Sequence, residues 1–301
     1  MSRNVTVGLD GSPESRAAAE WAAREAKLRG LPLKIVHVWE PVPAPMAQAP
    51  LLGAETRAHW TERIPREAAE GIALRHPGVE VTTEQLNGQP SDVLAGAAKD
   101  ADLLVLGSRG MSGIGGFLVG SVGQSTVAHT ETPVVLVRAG EQAADEHELD
   151  PAGIPSAAAP YRPVVLGLDP SHPDDSVIEF AFEAAARRDA VLRVIHGWNL
   201  PPYYAYSLPA DLQLHDEISR AQSAALAEIL EPWREKYPNV QVTEESRSGS
   251  ASNHLVDAAS GASLVVVGRR IRRNPFGAHI GPVAHAVLHH AAAPVAVVAH
   301  D

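Results

Sequence analysis

The sequence predicts an α/β chain of two tandem doubly wound domains, each a five-stranded parallel-type sheet flanked by four helices. Two observations carry this expectation. The second half of the chain repeats the first, and within each half short β-branched runs alternate with helix-period patterns. Val5–Asp10, VTVGLD, returns as Val164–Asp169, VVLGLD, and Ile35–Trp39, IVHVW, returns as Val194–Trp198, VIHGW. Leu103–Gly107, LLVLG, returns as Leu264–Gly268, LVVVG, and Thr132–Val137, TPVVLV, as Ala293–Val298, APVAVV. Asp10 to Asp169 and His37 to His196 are both 159 residues, whereas Gly107 to Gly268 and Pro133 to Pro294 are both 161. One two-residue insertion accounts for all four pairs, which identifies a duplication.

In the first copy, strand one is expected near 5–9, an apolar β-branched run ending at Asp10-Gly11. Helix one, near 13–29, opens on Ser12-Pro13-Glu14, where Ser12 can cap the helix and Pro13 suits its first turn. Strand two, near 33–39, precedes a Pro-rich stretch, Pro41–Pro50, read as a loop at the strand's C-terminal end. Helix two follows near 55–75, strand three near 80–86 and helix three near 90–99. Strand four near 103–107, helix four near 122–130 and strand five near 133–138 complete the copy. Residues 140–161, acidic and then rich in Ala and Pro, read as a linker between domains 1–139 and 162–301.

The bulk composition bounds the function. With 301 residues, 45% hydrophobic and 20% charged, each half can bury a core of its own. A net charge of −11 opposes nucleic-acid backbones and anionic membrane surfaces. The absence of cysteine excludes disulfides, thiolate zinc sites and a cysteine nucleophile, and fits a reducing cytoplasm. The N-terminus has no apolar signal-like region, and no apolar run reaches the roughly 20 residues of a membrane span. The expectation is a soluble cytoplasmic protein.

Ligands of open α/β sheets settle at the carboxyl ends of strands, where strand order reverses. Two unusual segments lie at such ends. Gly8-Leu9-Asp10-Gly11-Ser12 follows strand one, and Gly107–Ser121, GSRGMSGIGGFLVGS with six glycines in fifteen residues, follows strand four. Glycines let a ligand approach backbone N–H groups, which together form an anion nest. Gly120-Ser121 then opens a helix whose free N–H groups and dipole favour phosphate, and Ser121 adds a hydroxyl. The same composition also suits a surface loop with glycines for mobility. Neither G-x-x-x-x-G-K-[ST] nor G-x-G-x-x-G occurs, which disfavours a P-loop hydrolase or a dinucleotide enzyme.

Gly107-x2-Gly110-x9-Gly120-Ser121 matches the G-2x-G-9x-G-[ST] pattern of ATP-binding universal stress proteins, and V-G-L-D-G-S, Val36-His37-Val38 and His129-x3-PVVLV resemble the same family. The resemblance extends over nearly the whole chain, as tandem copies of the actinobacterial kind. It implies a Rossmann-like fold and ATP, with Mg2+, as ligand. By resemblance, Gly107, Gly110, Gly120 and Ser121 hold the phosphates, with Ser108, Arg109, Met111, Gly113 and Val122 beside them. Gly8, Leu9 and Asp10 border the adenosine and a metal-bound phosphate region, and Val38 offers backbone contacts to adenine. For Asp10 the alternative is a plain turn former. His37 reads as a satisfied core histidine. The resemblance also implies that the last strands, Val134–Val137 and Val295–Val298, pair the two copies into an intrachain pseudo-dimer, with a homodimer as a further step.

The second copy departs from the pattern. It has Gly268-Arg269-Arg270-Ile271 where the first has Gly107-Ser108-Arg109-Gly110, and Gly281-Pro282 where the first has Gly120-Ser121. Ile271 crowds the backbone approach, and Pro282 removes an N–H and a hydroxyl. Gly167 and Asp169 keep the adenosine side. Arg269, Arg270, Arg272 and Arg273 are four cations that suit a phosphate, another anion, or a solvated basic loop. His285 and His289, four apart on the last helix, have metal-ligand spacing without a third ligand, and read as a surface helix. Three classes follow: a nucleotide-responsive regulator, a slow ATPase for which Asp10 is the one evident acid–base group, and an ATP-independent assembly module.

Overall fold

The computed structural model describes residues 3–39, 54–108, 120–199, 212–272 and 280–301. The Pro41–Pro50 stretch lies outside them. The chain divides into two compact units, residues 1–142 and 143–301.

The first unit contains β1 (Val5–Gly8), α1 (Pro13–Arg29), β2 (Leu33–Trp39), α2 (Ala54–Arg75), β3 (Val81–Asn87), α3 (Pro90–Ala98), β4 (Leu103–Ser108), α4 (Ser121–His129) and β5 (Val134–Arg138). Every predicted element of this copy stands within a residue of its observed bounds. The strands are parallel, in the order β3-β2-β1-β4-β5. The second unit contains β6 (Val164–Gly167), α5 (Asp175–Arg188), β7 (Leu192–Trp198), α6 (Leu212–Lys236), β8 (Val242–Ser248), α7 (Ala251–Ala259), β9 (Leu264–Arg270), α8 (Pro282–His290) and β10 (Val295–His300). Its strands are also parallel, in the order β8-β7-β6-β9-β10.

The central strands are apolar throughout because helices cover both faces of a parallel sheet. Val5, Val7, Leu103, Leu104 and Val105 are fully buried. The outer strand β3 instead carries Thr82, Thr83, Glu84 and Gln85, and Glu84 pairs with Lys34 of β2. In the second unit Glu245 of β8 pairs in the same way with Arg193 of β7. Charge on an edge strand discourages further strand addition.

Helix α1 starts and stops where its sequence dictates. The Ser12 side chain accepts the N–H of Ser15, Pro13 occupies the first turn, and Gly30 ends the helix in the left-handed region at φ 64°. Ala18, Ala22, Ala23 and Ala26 are fully buried, a small-residue face that lets the helix lie close to the sheet. Helix α5 differs. By the 159-residue offset it would begin at His172, but its cap is Asp174, which accepts the N–H of Ser176, and it begins at Asp175. Ser171, the counterpart of Ser12, lies in the preceding loop.

Residues 143–161, from the stretch read as a linker, fold within the second unit. Glu146 and His147 are buried, and Tyr161 lies against His147 with ring centroids 4.0 Å apart. The Arg162 N–H donates to the Glu146 carbonyl at 2.9 Å and the Glu148 N–H to that of Pro160 at 2.8 Å.

Candidate functional site

With this strand order the chain leaves β1 and β4 in opposite directions across the sheet, which opens a crevice at their C-terminal ends. A cavity of about 360 Å³ occupies it in the first unit. The cavity gathers Gly8, Leu9 and Asp10 after β1, Val38 from β2, Gly107 from β4, and Gly120, Ser121 and Val122 at the start of α4. All were singled out in the sequence. Arg109, Gly110, Met111 and Gly113 lie outside the described residues. Ser108 is described but does not line the cleft: it is buried, and its hydroxyl donates to the Val137 carbonyl of β5 at 3.3 Å. Leu106 and Gly107 of β4 reach the cleft, whereas Ser108 is held against β5.

One wall is the first turn of α4. Gly120 caps the helix without a side-chain hydrogen bond, and its carbonyl accepts the Gln124 N–H at 3.0 Å. The N–H groups of Ser121, Val122 and Gly123 therefore have no partner within the helix. A Cβ at Gly120 would meet nothing within 4 Å, so the approach to this turn is open.

Facing it is the Asp10 turn. Asp10 Oδ1 accepts the Ser12 N–H at 2.9 Å, and the Asp10 N–H donates to Ser15 Oγ at 3.3 Å. Gly11 sits at φ 85°, so the turn needs its glycine. Burial pushes the Asp10 carboxyl up, but hydrogen bonds from Ser12 and Ser15 outweigh it and hold the group below the usual carboxylate range. Behind the turn, His37 Nδ1 lies 2.7 Å from the Leu9 carbonyl oxygen. The buried imidazole thus donates to the backbone one residue before Asp10, the role of a satisfied core histidine.

Ser12, from the segment noted after strand one, also lines the cleft, as do Glu14 and Ser15 of α1 and Pro90 and Leu94 of α3, which were not singled out as site residues. Their signal was present: the helix-period spacing Pro90/Leu94 puts both on one face. Which face met the cleft depended on the sheet order.

The second unit has a cleft in the corresponding place, about 590 Å³. Gly167, Asp169, Gly268 and Arg270 line it, as does Arg272. Arg269, the counterpart of Ser108, is buried and does not line it. Arg273 lies outside the described residues. Asp169 Oδ1 accepts the Ser171 N–H at 3.0 Å, and His172 Nδ1 lies 3.3 Å from Asp169 Oδ2. Burial raises the Asp169 carboxyl, and the Ser171 amide with His172 and His196 more than reverses this, leaving it lowered. His196 repeats His37, with Nδ1 3.2 Å from the Leu168 carbonyl, and its Nε2 also meets the Gln222 side chain at 3.0 Å. Gly281 caps α8, and Pro282 stands at its first turn.

On α8 the His285 and His289 ring centroids are 4.4 Å apart. Burial, then the nearby His289 and His290, lower the His285 pKa. Among the described residues no three His, Cys, Asp or Glu side chains are grouped to hold a metal, and no helix is long and apolar enough to cross a membrane.

The chain's similarity to known proteins matches this architecture. The model of the universal stress protein family fits residues 1–138 and again 160–299. A universal stress protein of Mycolicibacterium smegmatis is 33% identical over 304 residues, spanning 98% of this chain and 96% of that protein. One from Mycobacterium tuberculosis strain H37Rv is 33% identical over 318 residues, spanning 97% and 94%. The crystal structure of a universal stress protein from Archaeoglobus fulgidus shares the fold, with a TM-score of 0.68, 17% identity and full coverage of both chains. With the family matched once in each half and relatives aligned end to end, the chain belongs to the universal stress protein family, with two family domains in tandem.

Proposed function

We propose that the first cleft binds ATP with Mg2+, and that the protein is a nucleotide-responsive regulator in stress response or dormancy. The observation that carries this reading is the pairing, across one crevice at the strand-order reversal, of an uncapped helix start with an ionised carboxylate. The free N–H groups of α4 and the Ser121 hydroxyl suit phosphate oxygens. Mg2+ is commonly held by one or two carboxylates together with substrate phosphates, and Asp10 is a donor of that kind. Val38, at the end of β2, suits the base.

Regulation is favoured over turnover by what surrounds the phosphate wall. Among the described residues lining this cleft, no lysine or histidine is present, and the acids are Asp10 and Glu14. Asp10 already spends one oxygen on the Ser12 amide. The apolar edge strands β5 and β10 support an intrachain pseudo-dimer, with association of two chains as a further step.

Calorimetry with Mg-ATP tests the reading. The expected result is a Mg2+-dependent site in the first unit, with phosphate release far below the ~1–10³ s⁻¹ typical of enzymes. Failure of Mg-ATP to bind would overturn the nucleotide reading, and rapid turnover would replace the regulator with an ATPase.

A further inference from the structure

Helix α8 carries a pair of side chains that its counterpart α4 lacks. By the 161-residue offset, His285 stands where the first unit has Gln124, and His289 where it has Ala128. His290 repeats His129, whose Nδ1 lies 2.7 Å from the Ser125 carbonyl oxygen one turn back. The duplicated fold thus forms this helix without an imidazole at either of the first two positions. At the second of them alanine is the stronger helix former.

A spacing of four puts His285 and His289 on one helix face. The structure also brings their rings together, with centroids 4.4 Å apart and planes tilted by 34°. His289 and His290 are neighbours in sequence and point apart, with centroids 6.5 Å from one another. His285 is exposed and His289 half-buried, and neither lines the second cleft. Attraction to the negative end of the helix dipole accounts for histidines in the last turn, His289 and His290. It does not account for His285, a full turn earlier.

Burial, then the nearby His289 and His290, hold the His285 imidazole below its ordinary pKa. Two protons on this pair would repel, whereas two unprotonated rings present lone pairs side by side. Among the described residues no third His, Cys, Asp or Glu side chain joins them, so a closed four-ligand zinc site is not formed from these residues. Magnesium and calcium call for oxygen ligands, which the pair does not supply. Imidazole suits zinc, nickel and copper, and divalent affinity peaks at copper.

We infer that His285 and His289 chelate one late first-row divalent metal ion, Cu2+ most tightly, on the exposed face of α8, with water in the remaining positions. The chelate joins two successive turns of the helix, so the bound ion stabilises the folded second unit. The site lies apart from both clefts and requires no nucleotide.

The test titrates the full chain, free of nucleotide, with the chlorides of Cu2+, Ni2+, Zn2+ and Mg2+, and follows calorimetric binding and the thermal transition. One Cu2+ is expected to bind more tightly than any ion held by the other histidines, with Ni2+ and Zn2+ weaker and Mg2+ unbound at this pair. His285→Ala and His289→Ala should each weaken Cu2+ about tenfold or more and abolish the metal-induced rise in melting temperature. His290→Ala and His129→Ala should leave both readouts unchanged. If an alanine variant fails to fold, His285→Gln makes the same test with the residue the first unit carries there. Electron paramagnetic resonance of the Cu2+ form should show coupling to two imidazole nitrogens, and to one in either single variant. Absence of Cu2+ binding overturns the inference. So does Cu2+ affinity that survives loss of both histidines, or that falls as far with His290→Ala, since the ion then belongs to other side chains.

Discussion

Gly107, at the end of β4, faces Glu14, at the start of α1, so closely that a Cβ would stand 2.5 Å from the Glu14 carbonyl carbon. This glycine is required by helix–strand packing before any ligand arrives. The contact also presses the first turn of α1, with Ser12 and Ser15, against the Asp10 turn. Packing and site geometry are therefore one constraint at this point.

Gly107→Ala should destabilise the first unit by about 1–3 kcal/mol through overpacking against backbone. The melting temperature should fall accordingly, by about 2–4 °C per kcal/mol for a domain of this size. Gly268→Ala should cost less, because the imidazole of His300 can turn aside where a helix backbone cannot. Thermal denaturation of the two variants checks the asymmetry.

Ser121→Asp separates binding from folding. A carboxylate in the first turn of α4 stabilises the helix dipole by about 0.3–1 kcal/mol, so the melting temperature should hold or rise. The same charge repels phosphate, and ATP affinity should fall about tenfold or more. Calorimetry and a melting curve on one sample read both effects.

His37→Leu should cost about 1–3 kcal/mol, because the Leu9 carbonyl loses the donor at 2.7 Å. ATP affinity should also weaken, although His37 does not line the cleft, since Leu9 positions Asp10. Chemical denaturation together with ATP titration detects the pair of effects.

The pH dependence of Asp10 has a definite sign. Its folded pKa lies below the unfolded value near 3.9, so the folded state gains from ionisation. That contribution is fully present above about pH 4 and is lost as pH falls through the folded value. Wild type should therefore be more stable than Asp10→Asn at neutral pH, and the gap should close in acid. Denaturant midpoints measured from pH 7 down to pH 3 follow it.

Much of this molecule is written in local sequence. β-Branched runs became buried parallel strands, Ser12-Pro13 became the cap and first turn of α1, and Gly30 its left-handed end. These features depend on a few adjacent residues, and periodicity reports them directly. The repeat, through its constant offsets, likewise announced two copies of one fold. The two ends of the glycine-rich segment, Gly107 and Gly120, also fall where the cleft opens, because a parallel sheet puts such loops at its strand ends.

Tertiary structure decided which side chains meet. Ser108 and Arg269 sit inside the motif in sequence, yet both are buried and line neither cleft. Ser15, Pro90 and Leu94 enter the first cleft because α1 and α3 converge on β1 and β4, elements far apart in the chain. In the second unit Arg270 and Trp198 line one cavity although 72 positions separate them. The order of strands sets such meetings, through crossovers that no short pattern records. The sequence showed the second site losing a glycine and a hydroxyl and gaining arginines; that its first helix starts late, at Asp175, and that Arg270 and Arg272 line the cleft while Arg269 does not, only the fold decided.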